Sequence, residues 1–287
     1  NIDTKVLKGI KEHKKRLEII SWERITEEII KSLKTDKPSI AFYLFKETNL
    51  LSYIFPEVDI MPGVEIIDGH GHKDVFIHTL QVVDNAAQLT DKMEIRFAAL
   101  VHDIGKPATK KFFPKKGWTF HGHDSLGSHM LKAISKRMKL SNKLKDYLRL
   151  MTRLHLRPIA LVKDNITDGA IRRLMVEAGE NVDDLMILCR ADITTKNEMK
   201  IKKYRANFER VEQLMHDVTM RDQMRSFQSP VRGEDIMKEL NLKPCKQIGD
   251  IKKMIEEAIL EGTIENTYED AFQYMLKIKN TFLKKTS

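Results

Sequence analysis

The sequence predicts an all-α protein, built as a multi-helical body, a helical central domain and a helical C-terminal tail. Its 287 residues include only 13 Gly and 8 Pro, and aromatic residues make up 7%. Long stretches are rich in Leu, Ile, Met, Lys and Glu, which favour helices over turns and strands. These features exclude an all-β sandwich.

Length and charge narrow the class of protein further. The chain corresponds to about two domains at roughly 150 residues each, and its 41% apolar content is enough to give each a core. The 50 Lys and Arg residues outnumber the 41 Asp and Glu residues, and the net charge of +9 indicates a polyanionic partner.

The sequence shows no sign of a membrane or secreted protein. No apolar run approaches the ~20 residues that a membrane span requires. Two cysteines, Cys189 and Cys245, are too few for a disulfide framework. We therefore expect a cytoplasmic protein that has no membrane partner.

Breaks in the helical pattern divide the chain. The first section reads as helices with short joints, one of which begins after Ser21, a plausible N-cap. The helical pattern stops in a glycine-rich loop near residues 62–74 that includes His70 and His72. It resumes at Val75, is interrupted by a basic loop at 110–118, and breaks again at Pro230. The predicted domains are a body at 1–62, a central domain at 63–229 and a tail at 230–287.

Polar side chains lie on otherwise apolar helix faces in the central domain. His78, for example, shares a face with Val75, Val82 and Ala86. The inward-facing polar residues are His78, His102 with its neighbour Asp103, His155 and Asp192. Burying an unpaired imidazole or carboxylate costs several kcal/mol, so these groups are expected to meet, and a metal ion satisfies them together.

The residues around these positions resemble a known superfamily. His78, then His102 and Asp103 in Val101-His-Asp-Ile-Gly-Lys106, then Asp192, form an H…HD…D pattern similar to that of the HD metal-dependent phosphohydrolases. The flanks, at 74–80 and 191–197, look like the HD domain of bacterial tRNA nucleotidyltransferases (CCA-adding enzymes) and their poly(A) polymerase relatives. The similarity extends over nearly the whole chain and implies an RNA-binding body and tail.

One departure from this family is informative. The polymerising head of such enzymes needs a Gly-Ser strand turn and an Asp-x-Asp pair to hold two metal ions. Neither motif occurs here. The acidic pair Asp183 and Asp184 is adjacent rather than spaced by one residue, and it opens a helix, where acidic residues complement the helix dipole. We expect a C-terminal fragment or a headless relative that adds nucleotides only together with an N-terminal catalytic head.

The resemblance implies metal-assisted hydrolysis of a nucleotide phosphate, either a monoester or a 2′,3′-cyclic diester. The pattern's two imidazoles and two carboxylates suit a divalent Mn, Ni, Co, Fe or Mg ion better than structural zinc. Asp103 and Lys106 are the predicted catalytic residues; Lys106 either neutralises charge on the phosphate or is simply a solvated lysine.

Two further histidines occupy positions where two-metal members of the superfamily carry extra ligands. His123 and His155 are therefore predicted as ligands of a second ion or of phosphate. His155 has a third interpretation, as a helix cap.

Basic residues cluster on two helical segments. The predicted RNA-binding residues are Lys132, Lys136, Arg137, Lys200, Lys203 and Arg205. Their alternative is an ordinary solvated helix face, but the net charge and the family resemblance favour contact with the phosphates of tRNA or another RNA. In the basic loop, Phe112, Phe113 and Trp118 either stack on a base or anchor the loop, and we favour anchoring.

These observations lead to one main functional hypothesis and two alternatives. The main hypothesis is the C-terminal part of a tRNA nucleotidyltransferase, with an HD phosphohydrolase site and an RNA-binding surface. The first alternative is a non-catalytic module that measures tRNA and holds a structural ion. The second is a stand-alone HD nucleotide phosphohydrolase.

Overall fold

The protein is described here by a computed structural model that covers residues 2–67, 71–161, 167–226, 229–260 and 263–283. His70 lies outside these ranges. The chain forms two compact units, Asn1–Met215 and His216–Ser287. Helices dominate both units, which confirms the predicted all-α fold.

The first unit begins with the helices of the predicted body. They are α1 (Thr4–His13), α2 (Trp22–Leu33), α3 (Ser39–Glu47), α4 (Leu51–Ile54) and α5 (Pro56–Asp59), with a 3-10 segment at Lys14–Ile19. Helix α2 begins directly after Ser21, where the sequence indicated an N-cap. Its inward face carries Ile25, Ile29 and Leu33, all buried.

The central helices follow the glycine-rich loop. They are α6 (Val75–Leu89), α7 (Met93–Val101), α8 (Lys106–Thr109), α9 (His123–Arg137), α10 (Asn142–Leu154), α11 (Arg157–Ala160), α12 (Asp168–Ala178) and α13 (Val182–Ala191). A 3-10 turn, Gly179–Asn181, precedes α13, and the long helix α14 (Glu198–Ser226) follows it. The boundary between the two compact units falls within α14.

One predicted loop is a hairpin. The basic segment at 110–118 contributes to two antiparallel strands, β1 (Lys111–Phe113) and β2 (Gly117–Thr119), with Phe112 opposite Trp118. Gly117 adopts a positive φ of 72°, which glycine tolerates at no steric cost and which lets the chain enter β2 directly from the turn. Strands of three residues are too short to show an alternating pattern, so the sequence does not distinguish them from a loop.

Helix α7 is the centre of the first unit. All its residues from Ile95 to Val101 are buried, and it packs against α2, α6, α10 and α13. The buried guanidinium of Arg96 is satisfied by five acceptors, including the carbonyl of Leu33 at the end of α2, that of Thr35 just beyond it, and the carboxylate of Asp91. Because this helix is buried on all sides, the residues that follow it lie in the interior of the unit.

The second unit has a core of its own. Its helices are α15 (Gly233–Leu240), α16 (Lys246–Leu260) and α17 (Tyr268–Leu283). Fully buried Ile236, Ile251, Ile255, Ala271 and Met275 form this core together with Val231. Among the described residues, no helix is long and apolar enough to cross a membrane. Cys189 and Cys245 are both free thiols.

Candidate metal centre

The centre is built around the turn that ends α7. Helix α7 ends at Val101, so His102 is its C-cap and Asp103 lies in the following turn. Both side chains are fully buried. Because α7 is buried all round, this turn opens into the interior, where the ends of α9, α10 and α13 also meet.

A first cluster joins His78, His102 and Asp192. The ligand atoms that the three residues offer all lie within 4.8 Å of one another. Asp192 Oδ1 is 3.0 Å from Nε2 of His78 and 3.7 Å from Nε2 of His102. Helices α6, α7 and α13 therefore converge on one point.

A second cluster joins Asp103, His123 and His155, again within 4.8 Å. The Nε2 atoms of the two histidines are 3.4 Å apart, and Asp103 Oδ1 lies 3.2 Å from His123 and 3.7 Å from His155. His123 is the first residue of α9 and His155 is the C-cap of α10, so both rings come from the same end of this antiparallel pair, one from each helix.

Asp103 faces both clusters. Its other oxygen, Oδ2, lies 3.4 Å from Nε2 of His78 and 3.2 Å from Nε2 of His102. One carboxylate thus presents Oδ2 to the first cluster and Oδ1 to the second, which is the geometry of a bridging ligand between two cations.

The outer nitrogen of each imidazole is occupied. The Nδ1–H groups of His102, His123 and His155 each donate to a backbone carbonyl oxygen at 2.7 Å, on Ala99, Phe120 and Thr152 respectively. A carbonyl only accepts, so Nδ1 carries the proton and Nε2 keeps its lone pair directed at the centre. Such outer partners fix the tautomer and the ring plane of a metal-binding histidine.

Two residues that the sequence analysis missed position the first cluster. Thr194 Oγ1 lies 3.0 Å from Nδ1 of His78. The amide of Asn85 donates to the carbonyls of Ala191 and Ile193, at 2.7 and 3.4 Å, and so holds the backbone on both sides of Asp192. Asn85 lies two helical turns after His78 on α6. That spacing is the only signal in the sequence that could have identified Asn85.

Two glycines bring α9 against the turn. A Cβ on Gly105 would lie 2.2 Å from the carbonyl oxygen of His123 and 2.8 Å from the backbone nitrogen of Gly127. Both atoms are backbone, so only glycine permits this approach. Gly105 therefore sets the position of His123 relative to the turn.

The electrostatics of the pocket couple these groups. Burial on its own lowers the pKa of His78, but hydrogen bonds and charge from Asp103 and Asp192 raise it to about 9. Burial, with the charge of His102, lowers the pKa of His155 to about 4. Burial opposes ionisation of Asp103, but the surrounding histidines outweigh it and hold the pKa of this carboxyl well below its usual range.

The residues present fit divalent cations. Nε2 of His102 and Oδ1 of Asp103 are buried atoms that make no hydrogen bond of acceptable geometry within the part of the chain that the structure describes. An unsatisfied buried lone pair is costly, and a cation satisfies several at once. Four imidazole nitrogens and two carboxylates form a mixed nitrogen and oxygen set that suits Mn, Fe, Co or Ni, with Mg less well served by the imidazoles.

Lys106 lies at the edge of the centre. Its ammonium donates to Oδ2 of Asp103 and lies 5.8 Å from the ring centroid of Phe120. His72 packs edge-on against Phe120 and Trp118, and Phe112 packs against Trp118. Phe112 and Trp118 thus pack within the hairpin and against the His72 ring, whereas Phe113 is exposed, and the anchoring of this loop to the core stays a prediction.

Two segments of the chain match known protein families. Residues 1–61 match the family described as "Probable RNA and SrmB- binding site of polymerase A". Residues 75–197 match the HD domain. The chain carries a polymerase A-type RNA-binding region followed by an HD domain. This combination agrees with the resemblance to the part of tRNA nucleotidyltransferases and poly(A) polymerases that follows their polymerising head.

Both clusters fall within the HD domain, and so do three of the residues predicted to bind RNA. Lys132 and Lys136 are exposed on α9. Arg137 differs, because Glu57 accepts two hydrogen bonds from its guanidinium, which also lies over the ring of Trp22. Arg137 thereby ties α9 of the HD domain to the preceding RNA-binding region. Lys200, Lys203 and Arg205 are exposed on α14, just beyond the HD domain.

Proposed function

We propose that this chain is the RNA-binding and HD portion of a tRNA nucleotidyltransferase-type protein, and that its HD domain is a metal-dependent phosphohydrolase. The observation that carries the enzymatic half is the shared carboxylate, because Asp103 faces two histidine clusters at once. The proposed substrates are nucleotide phosphomonoesters or 2′,3′-cyclic phosphates. Nucleotide addition would require a catalytic head elsewhere in the parent protein.

The proposed ligands divide into two groups with Asp103 between them. His78, His102 and Asp192 would hold one ion, His123 and His155 would hold the other, and Asp103 would contribute one carboxylate oxygen to each. Divalent cations at these positions supply Lewis acidity, which lowers the pKa of water and neutralises charge on a phosphoryl oxygen. In the hydrolysis of a cyclic phosphate, water adds to phosphorus, one P–O ester bond breaks, and the departing ribose oxygen takes up a proton.

The chain's own residues orient the reaction. Thr194 and Asn85 hold His78 and the Asp192 backbone, so the ligand atoms are positioned before an ion or substrate arrives. The ammonium of Lys106, already beside Asp103, is placed to donate to a phosphoryl oxygen and to stabilise charge that grows as the ester bond breaks. Burial of His102, Asp103 and His155 keeps bulk water away from the inner side of the centre.

The direct test is hydrolysis by the wild-type chain. 2′,3′-Cyclic AMP and 5′-AMP are incubated separately with the protein and Mn²⁺, Ni²⁺, Co²⁺ or Mg²⁺, and products are followed by ³¹P NMR. We expect turnover with at least one ion and none in EDTA. No turnover of either substrate with any of the four ions contradicts the enzymatic half of the proposal.

Replacement of Lys106 tests its role at the phosphate. Lys106→Met keeps the unbranched apolar stem of the side chain and removes its ammonium group, so kcat/KM for the hydrolysed nucleotide is expected to fall about 100-fold while the metal content is retained. The matched control is Lys110→Met, since Lys110 is bonded to Glu65 and lies over Trp118. Equal losses in both variants would show that Lys106 has no special role.

A second candidate, a non-catalytic RNA-binding module, is favoured by the match of residues 1–61 to an RNA-binding family. It differs from the first in one measurable respect. RNA affinity that survives removal of the ions by EDTA, in a protein that hydrolyses neither nucleotide, would favour the module over the enzyme.

A further inference from the structure

A basic cleft runs along the α9–α10 pair, and none of the candidate metal ligands is in its lining. Two cavities form it, of about 450 and 430 Å³, and they share Arg149. The first is lined by Ser128, His129 and Arg153, among others. The second is lined by Lys132, Lys136 and Lys145, among others. From Ser125 to Lys136 the cleft follows twelve residues of helix, whose eleven steps of 1.5 Å span about 16 Å.

Cations dominate the lining of this cleft. Lys132, Lys136, Lys145, Arg149 and Arg153 line the cleft with a single carboxylate, that of Asp146. Arg153 is already paired with Glu177, at 2.8 Å, so the surplus comes from the other four cations. Asp146 is exposed and lies 3.7 Å from Lys145 and 3.6 Å from Arg149, so it offsets only part of their charge. Among the described residues, Lys132 and Lys136 have no ion-pair partner. The cleft therefore keeps a surplus of positive charge.

A buried hydroxyl points to a ligand in the second cavity. Ser135 is 1% exposed, lines the cavity, and its Oγ has no hydrogen-bond partner in the described ranges. The backbone carbonyl of Ser135 is already used, since it accepts from the amide of Leu140. A buried hydroxyl without a partner is uncommon, because its desolvation is uncompensated. A phosphate oxygen among the surrounding lysines is an acceptor of the right chemistry.

We propose that the α9–α10 cleft binds consecutive backbone phosphates of an RNA strand, through Lys132, Lys136, Lys145 and Arg149, with Ser135 donating to one phosphate oxygen. This inference rests on the proposed RNA-binding function and locates a contact surface on the HD domain, separate from residues 1–61. The length of the cleft favours a strand over a free phosphate, because an isolated anion would fill only one cavity. The cleft begins at the end of the helix pair that carries His123 and His155.

The experiment measures the affinity of the full chain for RNA. The probe is a fluorescein-labelled single-stranded RNA of about 20 nucleotides, titrated in EDTA over a series of KCl concentrations around 0.1 M. The cleft variant is Lys132→Ala/Lys136→Ala. Its matched control is Lys139→Ala/Lys143→Ala, which removes the same charge from exposed positions outside the lining, one in the loop between α9 and α10 and one in the first turn of α10.

We expect the cleft variant to raise Kd at least about 10-fold and to reduce the slope of log K against log salt by about 1.4, two phosphate contacts at about 0.7 each. The control should raise Kd less than about 2-fold, because salt screens the attraction between scattered surface charges and the RNA. Ser135→Ala should raise Kd about 3-fold with the slope unchanged, because it removes a neutral donor. Thermal melting by circular dichroism checks that each variant is folded.

Three outcomes would overturn the inference. Equal losses in the cleft and control variants would mean that only net charge matters. A wild-type affinity that the cleft variants leave unchanged would place RNA elsewhere on the chain. Inorganic phosphate that displaces the RNA far better than chloride of equal ionic strength would indicate a site for a free anion. Hydrolysis does not enter this assay, so failure of the enzymatic proposal and failure of the cleft are distinguishable.

Discussion

Asp103→Asn is expected to release both metal ions and to lower kcat/KM for nucleotide hydrolysis by at least about 1000-fold. The change is isosteric, but the amide nitrogen that replaces one oxygen cannot ligate a cation, and the negative charge between the clusters is lost. Because Oδ1 and Oδ2 face different histidine pairs, a single substitution affects both positions. Metal content by mass spectrometry and hydrolysis by ³¹P NMR are measured on the same sample.

The control for Asp103 is Asp183→Asn, an equal change of charge at an exposed position in the first turn of α13. It should alter neither metal content nor turnover. If Asp103→Asn kept both ions and turned over within a few-fold of wild type, the bridging role of this carboxylate would be wrong.

Gly105→Ala is expected to lower the free energy of unfolding by about 3 kcal/mol, because the added methyl overlaps backbone rather than a side chain that can rotate away. Helix α9 must move away from the turn, and His123 moves with it. We therefore also expect weaker binding of the ion held by His123 and His155, measured by titration of the metal-free protein. Chemical denaturation measures the stability.

A matched glycine provides the control. Gly9 lies within α1 and has no atom within 4 Å of its added Cβ, so Gly9→Ala should be neutral or stabilising by up to about 1 kcal/mol. A Gly105→Ala variant as stable as Gly9→Ala would contradict the close packing of α9 against the turn.

Much of the candidate centre could be anticipated in sequence, and the reason is physical. His78, His102 and His155 each occupy an apolar helix face, where burial without a partner is costly, so their convergence was predictable. Their distances, and the bridging position of Asp103, depend on how four helix ends meet. That arrangement depends on contacts such as Gly105 with Gly127, which no local pattern reveals.

Other features could not be predicted from the sequence, for related reasons. The hairpin β1–β2 has strands too short for an alternating pattern, so it was predicted as a loop. Arg137 belonged to a basic run, and only the tertiary structure pairs it with Glu57, eighty residues away. Ser135 carries no sequence signal, since its importance lies in the missing hydrogen-bond partner. Local periodicity thus identified which side chains are inside, and long-range packing determined what they contact.

The central claim is a two-metal centre bridged by Asp103, and electron paramagnetic resonance of the Mn²⁺-loaded protein tests it most directly. Two ions about 3.5–4 Å apart are magnetically coupled, so wild type should bind two Mn²⁺ per chain and show a coupled spectrum. His155→Gln should reduce this to one ion with the six-line spectrum of isolated Mn²⁺. A wild-type protein that binds a single uncoupled ion, or none, would contradict the account.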